Sequence, residues 1–295
     1  MTQDNLLGRT IAGYRLLQHV GEGGTATVYR AEHPERGQVA LKVLRSRLAQ
    51  DPVAVKRFLR EAEFGTRVNH PNIVRTYDFG PVEDLYYLAM EWVEGETLEK
   101  FATRSGPLAP ALVATIIEQI GAALSSAHGE NIIHRDLKPA NIMYHPPTQR
   151  AVLLDFGIAR DADLKPEERL TRTGFFVGTL QYVAPEALSG ELVSEQADVY
   201  SLATIAYYLL TNTLPYSGRS PRELFQQLLT QPPVPVNQAV KGLRFPPAVE
   251  EALMLGLERD LGKRSKNIDE FASRLCTALN SGGERKSFIK NLFGK

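Results

Sequence analysis

The stretch that decides both the fold and the chemistry of this chain runs from His134 to Asn141 and reads His-Arg-Asp-Leu-Lys-Pro-Ala-Asn. It places a carboxylate (Asp136), an ammonium group (Lys138) and a carboxamide (Asn141) within one short turn. Together these groups can position a hydroxyl, neutralise a transferring phosphate and coordinate a metal ion. The stretch therefore indicates a functional site rather than a simple turn.

Two further motifs strengthen this interpretation. Asp155-Phe156-Gly157 follows an apolar strand-like run at residues 152–154 and adds a second carboxylate where a metal ion would need it. Ala184-Pro185-Glu186 comes later in the chain. A purely structural origin does not account for the three motifs together.

A glycine-rich stretch lies near the N-terminus, between two strand-like runs. Its residues are Gly21, Glu22, Gly23, Gly24, Thr25, Ala26, Thr27 and Val28. Glycines let backbone N–H groups approach a phosphate without obstruction by a Cβ atom. A dinucleotide-binding fold is disfavoured because a strand, not a helix, follows the glycines. A hairpin turn without a ligand stays open as the alternative on this stretch alone.

Lys42 lies inside an apolar strand-like run. Because an unpaired buried ammonium group is costly, Lys42 needs a charge partner or a ligand anion. The alternative is a lysine on an edge strand that points to water. Glu61 and Glu63 are candidate partners, on a helix that we expect to begin at Asp51-Pro52, where Asp can cap and Pro suits the first turn.

The order of predicted elements gives an α+β chain. Strand-like runs broken by Gly and Pro dominate up to Trp92 and predict an antiparallel sheet. Helical periods dominate the rest, at residues 110–127, 196–212, 220–231, 247–258 and 267–280. We therefore expect a small β-rich lobe with one helix, joined by a short connector to a larger, mainly helical lobe.

Composition narrows the class of protein further. The 295 residues carry 34 basic and 34 acidic side chains, so the formal net charge of 0 gives no general attraction to nucleic acid or to an anionic membrane. The single cysteine, Cys276, excludes a disulfide framework and a zinc site built on several cysteines. The N-terminus lacks the plan of a signal peptide, and no uninterrupted apolar run reaches the ~18 residues of a membrane span. We expect a soluble, cytoplasmic protein with no nucleic-acid partner.

With these motifs together, the chain resembles a eukaryotic-like Ser/Thr protein kinase, and most of all the bacterial members of that family. The resemblance covers about residues 14–280 and implies an N-lobe at 14–90, a hinge at 91–95 and a C-lobe at 96–280, preceded by an extension at 1–13. It implies transfer of the ATP γ-phosphoryl group to hydroxyls of protein substrates, with Mg²⁺ as the metal and Mn²⁺ as an alternative.

The resemblance assigns the nucleotide-binding residues. Gly21 and Gly23 match the phosphate-covering loop, and Ala26 stands where the family usually has a third glycine. Lys42 matches the lysine that holds the α- and β-phosphates, and Glu61 matches its partner on the helix. The implied adenine contacts are Val28, Ala40, Met90, Glu91, Val93 and Met143.

The resemblance also assigns the reacting groups. Asp136 matches the carboxylate that orients the substrate hydroxyl and accepts its proton. Lys138 marks the Ser/Thr-specific class and is implied to contact the γ-phosphate. Asn141 and Asp155 match the two metal-holding residues.

Further residues have implied supporting roles. Glu186 should pair with Arg264, and Asp198 should hold the backbone of the catalytic loop. Arg135 should pair with a phosphate on the activation segment, which lies between Gly157 and Ala184. Thr171 and Thr173 are the predicted autophosphorylation sites, with a transient homodimer for reaction in trans, and Thr179 is expected in the substrate platform.

One departure from the family pattern lies on the predicted N-lobe helix. The apolar stack that links the lobes normally has a bulky residue where this chain has Gly65, beside Thr76. Glycine inside a helix costs roughly 1 kcal/mol relative to alanine. We expect thin packing here, so the sequence does not fix the resting position of the helix. Activity is then expected to depend on a partner.

Several alternatives stay open. The alternative interpretations of the whole chain are a kinase-like scaffold, a partner-dependent kinase with low intrinsic activity, and a small-molecule phosphotransferase of related fold. Residues 281–295 have a basic amphipathic pattern that fits contact with a membrane surface or another protein, against a frayed tail or a linker stub. Cys276 is expected to be a thiol of the protein core.

Overall fold

The computed structural model describes residues 6–155, 180–189, 193–218 and 220–293, with residues 282–293 as helix backbone only. These residues form a small lobe around a six-stranded sheet and a larger, mainly helical lobe. This is the α+β, two-lobe architecture predicted from the order of the elements.

The sheet of the N-lobe is antiparallel throughout and has the order β1-β2-β3-β4-β6-β5. Its strands are β1 (Thr10–Ile11), β2 (Tyr14–Glu22), β3 (Ala26–His33), β4 (Gly37–Leu44), β5 (Thr76–Val82) and β6 (Leu85–Glu91). The described part of the predicted N-terminal extension packs on this sheet, because Leu6 is buried in its core and β1 pairs with β2. The N-lobe sheet therefore begins before residue 14.

The one long helix of the N-lobe, α1 (Pro52–Arg67), begins where the sequence predicts. The Asp51 carboxylate accepts a hydrogen bond from the Val53 N–H at 2.9 Å, and Pro52 occupies the first turn, where its missing N–H is not needed. Phe58 and Ala62 are buried on one face of α1. That face lies against the sheet and fixes which side chains of α1 point toward it.

The chain passes from the N-lobe to the C-lobe between the end of β6 at Glu91 and the start of β7 at Glu96. The predicted hinge at 91–95 lies in this interval. In the C-lobe, β7 (Glu96–Thr97), β8 (Ile142–His145) and β9 (Arg150–Leu153) form a three-stranded sheet. The described helices are α2 (Leu98–Ser105), α3 (Pro110–Gly129), α4 (Pro185–Ser189), α5 (Gln196–Thr211), α6 (Pro221–Thr230), α7 (Val236–Ala239), α8 (Pro247–Gly256) and α9 (Ile268–Phe293).

The core of the C-lobe is built on α3 and α5. Nearly every residue of α5 is buried, which is why its sequence is apolar all round rather than on one stripe. By length and composition α3 could cross a membrane, but half of its apolar window is buried inside the protein, where it packs against α5 and α9. Its composition is that of a core helix.

The segment that joins α1 to β5 is attached to the C-lobe. The Leu153 N–H donates to the Asn72 carbonyl at 2.8 Å, and the Val74 N–H donates to the Leu153 carbonyl at 2.9 Å. The Arg150 guanidinium donates to the Pro71 carbonyl at 2.9 Å. Residues 71–74 are therefore held by strand β9 although they precede N-lobe strands in the chain.

The predicted tail at 281–295 does not begin with a break in structure. Helix α9 continues without interruption to Phe293, so the backbone of residues 281–293 extends the last helix of the C-lobe.

Candidate active site

Lys42 joins the two lobes through carboxylates. Its ammonium nitrogen lies 2.6 Å from Glu61 Oε1 on α1 and 3.0 Å from Asp155 Oδ2, which follows β9. Glu63, the other candidate partner, is exposed. Since Glu61 reaches Lys42, α1 occupies the position that this ion pair requires, and the glycine at position 65 does not hold it away.

The side chains of Lys42, Glu61 and Asp155 shift one another's pKa. Burial opposes the charge on Lys42, but Asp155 and Glu61 outweigh burial and raise the pKa of Lys42 above its usual value. Burial raises the pKa of Glu61 to about 7 in spite of the neighbouring Lys42. Burial also opposes the charge on Asp155, yet Lys42 lowers the pKa of this carboxyl below its usual value. Of the two carboxyl groups, Asp155 is therefore the one that is firmly ionised.

The glycine-rich stretch forms the turn between β2 and β3. The Gly23 N–H donates to the Ala26 carbonyl at 2.8 Å and closes the turn. The segment after β4 holds it in place: the Arg45 guanidinium lies 2.9 Å from Glu22 Oε2, and the Arg47 guanidinium donates to the loop backbone at 3.3 Å. Sequence reasoning missed both arginines, since no motif connects them to the loop.

The catalytic-loop motif brings its three polar groups together as predicted. Lys138 Nζ donates to Asp136 Oδ2 at 3.0 Å. Asn141 Nδ2 donates to the Asp136 carbonyl at 2.9 Å and to Asp136 Oδ2 at 3.2 Å. One carboxylate oxygen of Asp136 thus has a cation and an amide beside it, which fixes the direction in which the carboxylate faces.

The backbone of this loop is held by Asp198, which is fully buried on α5. Its carboxylate accepts hydrogen bonds from the backbone N–H of His134 at 2.8 Å and of Arg135 at 3.0 Å. Arg135 has φ = +62°, a strained conformation for a residue with a Cβ atom, which these two bonds help to maintain. The anchoring contact predicted for Asp198 is present. Sequence reasoning missed His128, whose Nε2 lies 2.8 Å from Asp198 Oδ2.

Most of the predicted adenine contacts lie in one cluster. Met90 is buried in a hydrophobic cluster, and the half-buried side chains of Ala40, Val93 and Met143 pack against that cluster. Val28 lies outside this cluster, opposite Lys42 in the pairing of β3 with β4. The cluster has apolar side chains from both lobes, as a flat aromatic base would need.

The side chain of Glu91 does not belong to this apolar cluster. Its carboxylate lies 3.0 Å from the Arg150 guanidinium, and its backbone N–H donates to the Arg75 carbonyl at 2.8 Å. Recognition of a base at Glu91 would therefore use its backbone carbonyl, not its side chain or its N–H.

The donor atoms of Asn141 and Asp155 fit a magnesium ion. The Leu154 N–H donates to the Asn141 carbonyl at 2.8 Å, which places the residue before Asp155 beside Asn141. Because the amide nitrogen of Asn141 is engaged by Asp136, its amide oxygen is left for a hard cation. Within the described residues, no group of three or more His, Cys, Asp or Glu side chains could hold a metal ion. A site of two protein ligands matches the preference of Mg²⁺ for few carboxylates and additional phosphate oxygens.

The pair predicted between Glu186 and Arg264 is present and buried. Arg264 Nη1 lies 2.7 Å from Glu186 Oε1, and Nη2 lies 3.0 Å from Oε2. The Arg264 guanidinium also donates to the carbonyls of Glu258 and Gln196. This bidentate pair fastens α4, at the end of the activation segment, to the segment after α8.

Three predicted residues lie outside the described part of the chain. They are Thr171, Thr173 and Thr179.

The family model of the protein kinase domain matches residues 14–282. The chain belongs to the protein kinase family. The serine/threonine-protein kinase pkn3 of Myxococcus xanthus is 38% identical over 279 residues, covering 92% of this chain and 51% of the relative. The serine/threonine-protein kinase PrkC of Bacillus subtilis is 35% identical over 282 residues, covering 94% of this chain and 42% of the relative.

This kinase domain thus spans about half the length, or less, of the curated relatives that it matches. Solved kinase structures resemble it in fold. The Mycobacterium tuberculosis PknI kinase domain superposes with a TM-score of 0.70 at 30% identity, covering 91% of this chain and 97% of that chain. Rad53 in complex with AMP-PNP superposes with a TM-score of 0.73 at 28% identity, covering 90% of this chain and 65% of that chain.

Proposed function

We propose that this kinase domain transfers the γ-phosphoryl group of ATP to serine and threonine hydroxyls of protein substrates. The observation that carries the proposal is the convergence of Lys42, Glu61 and Asp155 in one ion-pair cluster. The neighbouring catalytic loop supports it, because Asp136 there faces both Lys138 and Asn141. The presence of all these groups favours an active enzyme over a kinase-like scaffold.

Each of these side chains has its own role in the reaction. Asp136 orients the substrate hydroxyl and takes up its proton as the hydroxyl oxygen bonds to the γ-phosphorus and ADP leaves with the bridging oxygen. Lys138 neutralises charge on the transferring group, and Lys42 holds the α- and β-phosphates. Glu61 keeps the Lys42 ammonium in place through the bond of 2.6 Å.

Asn141 and Asp155 are the residues that would hold Mg²⁺, with Mn²⁺ as an alternative. The metal would supply positive charge that neutralises the phosphate oxygens. Asp155 is suited to this because Lys42 keeps its carboxyl ionised.

Regulation by autophosphorylation at Thr171 and Thr173 is the second part of the proposal. Its support is Arg135, whose Nε atom is buried and finds no hydrogen-bond partner in the part of the chain that the structure describes. A phosphothreonine has acceptor oxygens that match a guanidinium. The homodimer for reaction in trans, the platform role of Thr179, the membrane contact of the tail and the cytoplasmic location stay predictions.

The direct test is transfer of labelled phosphate from ATP to a generic basic protein and, separately, to small alcohols. We expect transfer to protein only, and its loss in Asp136→Asn and Asp155→Asn with the fold retained, because each change removes a carboxylate but little apolar packing. Asp84→Asn, in the exposed turn between β5 and β6, is the matched control. Wild-type turnover in either active-site variant would refute the assignment, and transfer to alcohols would indicate a small-molecule phosphotransferase.

The regulatory part is tested by mass spectrometry after incubation with Mg-ATP, using Lys42→Met as the inactive reference. Phosphate on Thr171 or Thr173 in the wild type alone supports it. Full activity of the Thr171→Ala, Thr173→Ala double variant contradicts it.

A further inference from the structure

We propose that Gly65 and Thr76 form a size-matched contact that sets the distance between α1 and the N-lobe sheet, and through it the position of Glu61 against Lys42. Gly65 and Thr76 would then be positioning residues for phosphoryl transfer. The proposal rests on the proposed function, because it concerns the geometry which that reaction needs.

The contact is closer than a side chain on the helix would permit. A Cβ atom placed on Gly65 would lie 2.3 Å from Thr76 Oγ1 and 3.3 Å from Thr76 Cβ. Real Cβ atoms essentially never come within 3.0 Å of a heavy atom outside their own and the neighbouring residues. With Thr76 in this conformation, α1 therefore lies nearer to β5 than any residue except glycine allows.

The face of α1 that carries Gly65 also carries the functional glutamate. Glu61 precedes Gly65 by one helical turn, so the two residues project from the same side of the helix. Ala62 is also fully buried against the sheet, which adds a second small residue to the same interface. Because a hydrogen-bonded helix moves as a unit over one turn, a displacement at Gly65 displaces Glu61 as well.

The other side of the contact leads to Lys42. Thr76 opens β5 and pairs with Met90 on β6, and β6 in turn pairs with β4, where Lys42 lies opposite Leu88. The distance between α1 and the sheet is therefore the distance over which Glu61 must reach Lys42. An outward shift of the helix would lengthen the bond of 2.6 Å between them.

Local preference argues against glycine at this position. Alanine is the better helix former, so a helix without a close neighbour here would gain stability from Gly65→Ala. From the sequence alone, thin packing is the expectation at this glycine. The structure instead shows a glycine whose missing side chain is replaced by the hydroxyl of Thr76.

The experiment uses Gly65→Ala alone and combined with two changes at Thr76. Thr76→Ala removes the Oγ1 atom and makes room for the new methyl group, whereas Thr76→Val keeps a group of the same size. Each double variant is compared with its own Thr76 single variant, in the full chain. The readouts are kcat and KM for the protein substrate, the melting temperature, and the Lys42 Nζ to Glu61 distance in crystal structures.

We expect Gly65→Ala to lower kcat about ten- to a hundredfold, as for a displacement of roughly 1 Å in a catalytic assembly, with a smaller change in KM. Its crystal structure should show the Lys42 to Glu61 distance lengthened beyond hydrogen-bond range. The Gly65→Ala, Thr76→Ala variant should recover most of the loss, and the Gly65→Ala, Thr76→Val variant should not. If Gly65→Ala alone fails to fold, folding and activity of the combination with Thr76→Ala carry the same test.

An unchanged kcat and Lys42 to Glu61 distance in Gly65→Ala would overturn the proposal, as would equal recovery by both changes at Thr76. If the wild-type chain transfers no phosphate at all, the proposed function fails. The size-matched contact is then judged on the crystallographic distances alone.

Discussion

Replacing Glu186 with glutamine should destabilise the C-lobe far more than the same replacement at an exposed ion pair. The side chains of Arg264 and Glu186 are 0% and 4% exposed, so the Arg264 charge has no access to water when its partner is neutralised. Removing one partner of a buried pair costs about 3–5 kcal/mol. Glutamine keeps one acceptor oxygen, and Arg264 keeps its bonds to two backbone carbonyls, so we expect the lower end, about 3 kcal/mol.

The assay is urea unfolding followed by circular dichroism. With a slope of roughly 3 kcal/mol per molar urea, the midpoint should fall by about 1 M. Glu270→Gln is the matched control, because Glu270 pairs with Arg274 at 3.4 Å and the two side chains are 37% and 44% exposed. Such an exposed pair contributes about 0.5 kcal/mol or less. Midpoint shifts of equal size in the two variants would show that burial of the Glu186 pair does not matter as argued.

Two other predictions concern the loop anchor and the cysteine. Asp198→Asn should lower kcat at least about tenfold, because a single amide oxygen replaces the two oxygens that accept the N–H groups of the catalytic loop, at about 1.5–3 kcal/mol for each bond to a charged group. Steady-state kinetics measures this, and an unchanged kcat would contradict it. Burial raises the pKa of Cys276 to about 11, so its alkylation at pH 8 should be about a hundredfold slower in the folded chain than in urea, and should accelerate as the pH rises toward that value. Equal rates in the two states would refute this shielding of the half-buried thiol.

The parts of the site that lie within a motif could be predicted from the sequence. Asp136, Lys138 and Asn141 are so close in the chain that any compact loop brings them together. The start of α1 was equally predictable, since Asp51 and Pro52 have local preferences for the first turn of a helix. Resemblance to the family supplied the distant pairs, such as Glu186 with Arg264.

Contacts between distant residues without a motif could not be predicted. The Arg45 contact with Glu22, and that of Arg150 with Glu91, join side chains far apart in the chain, and nothing in their spacing distinguishes them from other surface charges. His128 could not be connected to Asp198 because the two residues meet only after α3 and α5 have packed. The sequence shows Gly65 as a departure from the family pattern, but the role of this glycine depends on how near Thr76 lies, which only the tertiary structure shows.

The attachment of residues 71–74 to β9 has a consequence for motion between the lobes. Among the described residues, the main chain links the N-lobe sheet to the C-lobe at two places, through residues 92–95 and through the hydrogen bonds of Asn72 and Val74, in addition to side-chain contacts such as that of Lys42 with Asp155. A body held at two separate points keeps one free rotation, about the line that joins them. Opening of the nucleotide cleft should therefore be a swing about this line, with little sliding or twisting of the sheet over the C-lobe. Lys42 and Glu61 would travel together in that swing, since both are carried by the N-lobe, while Asp155 would stay behind.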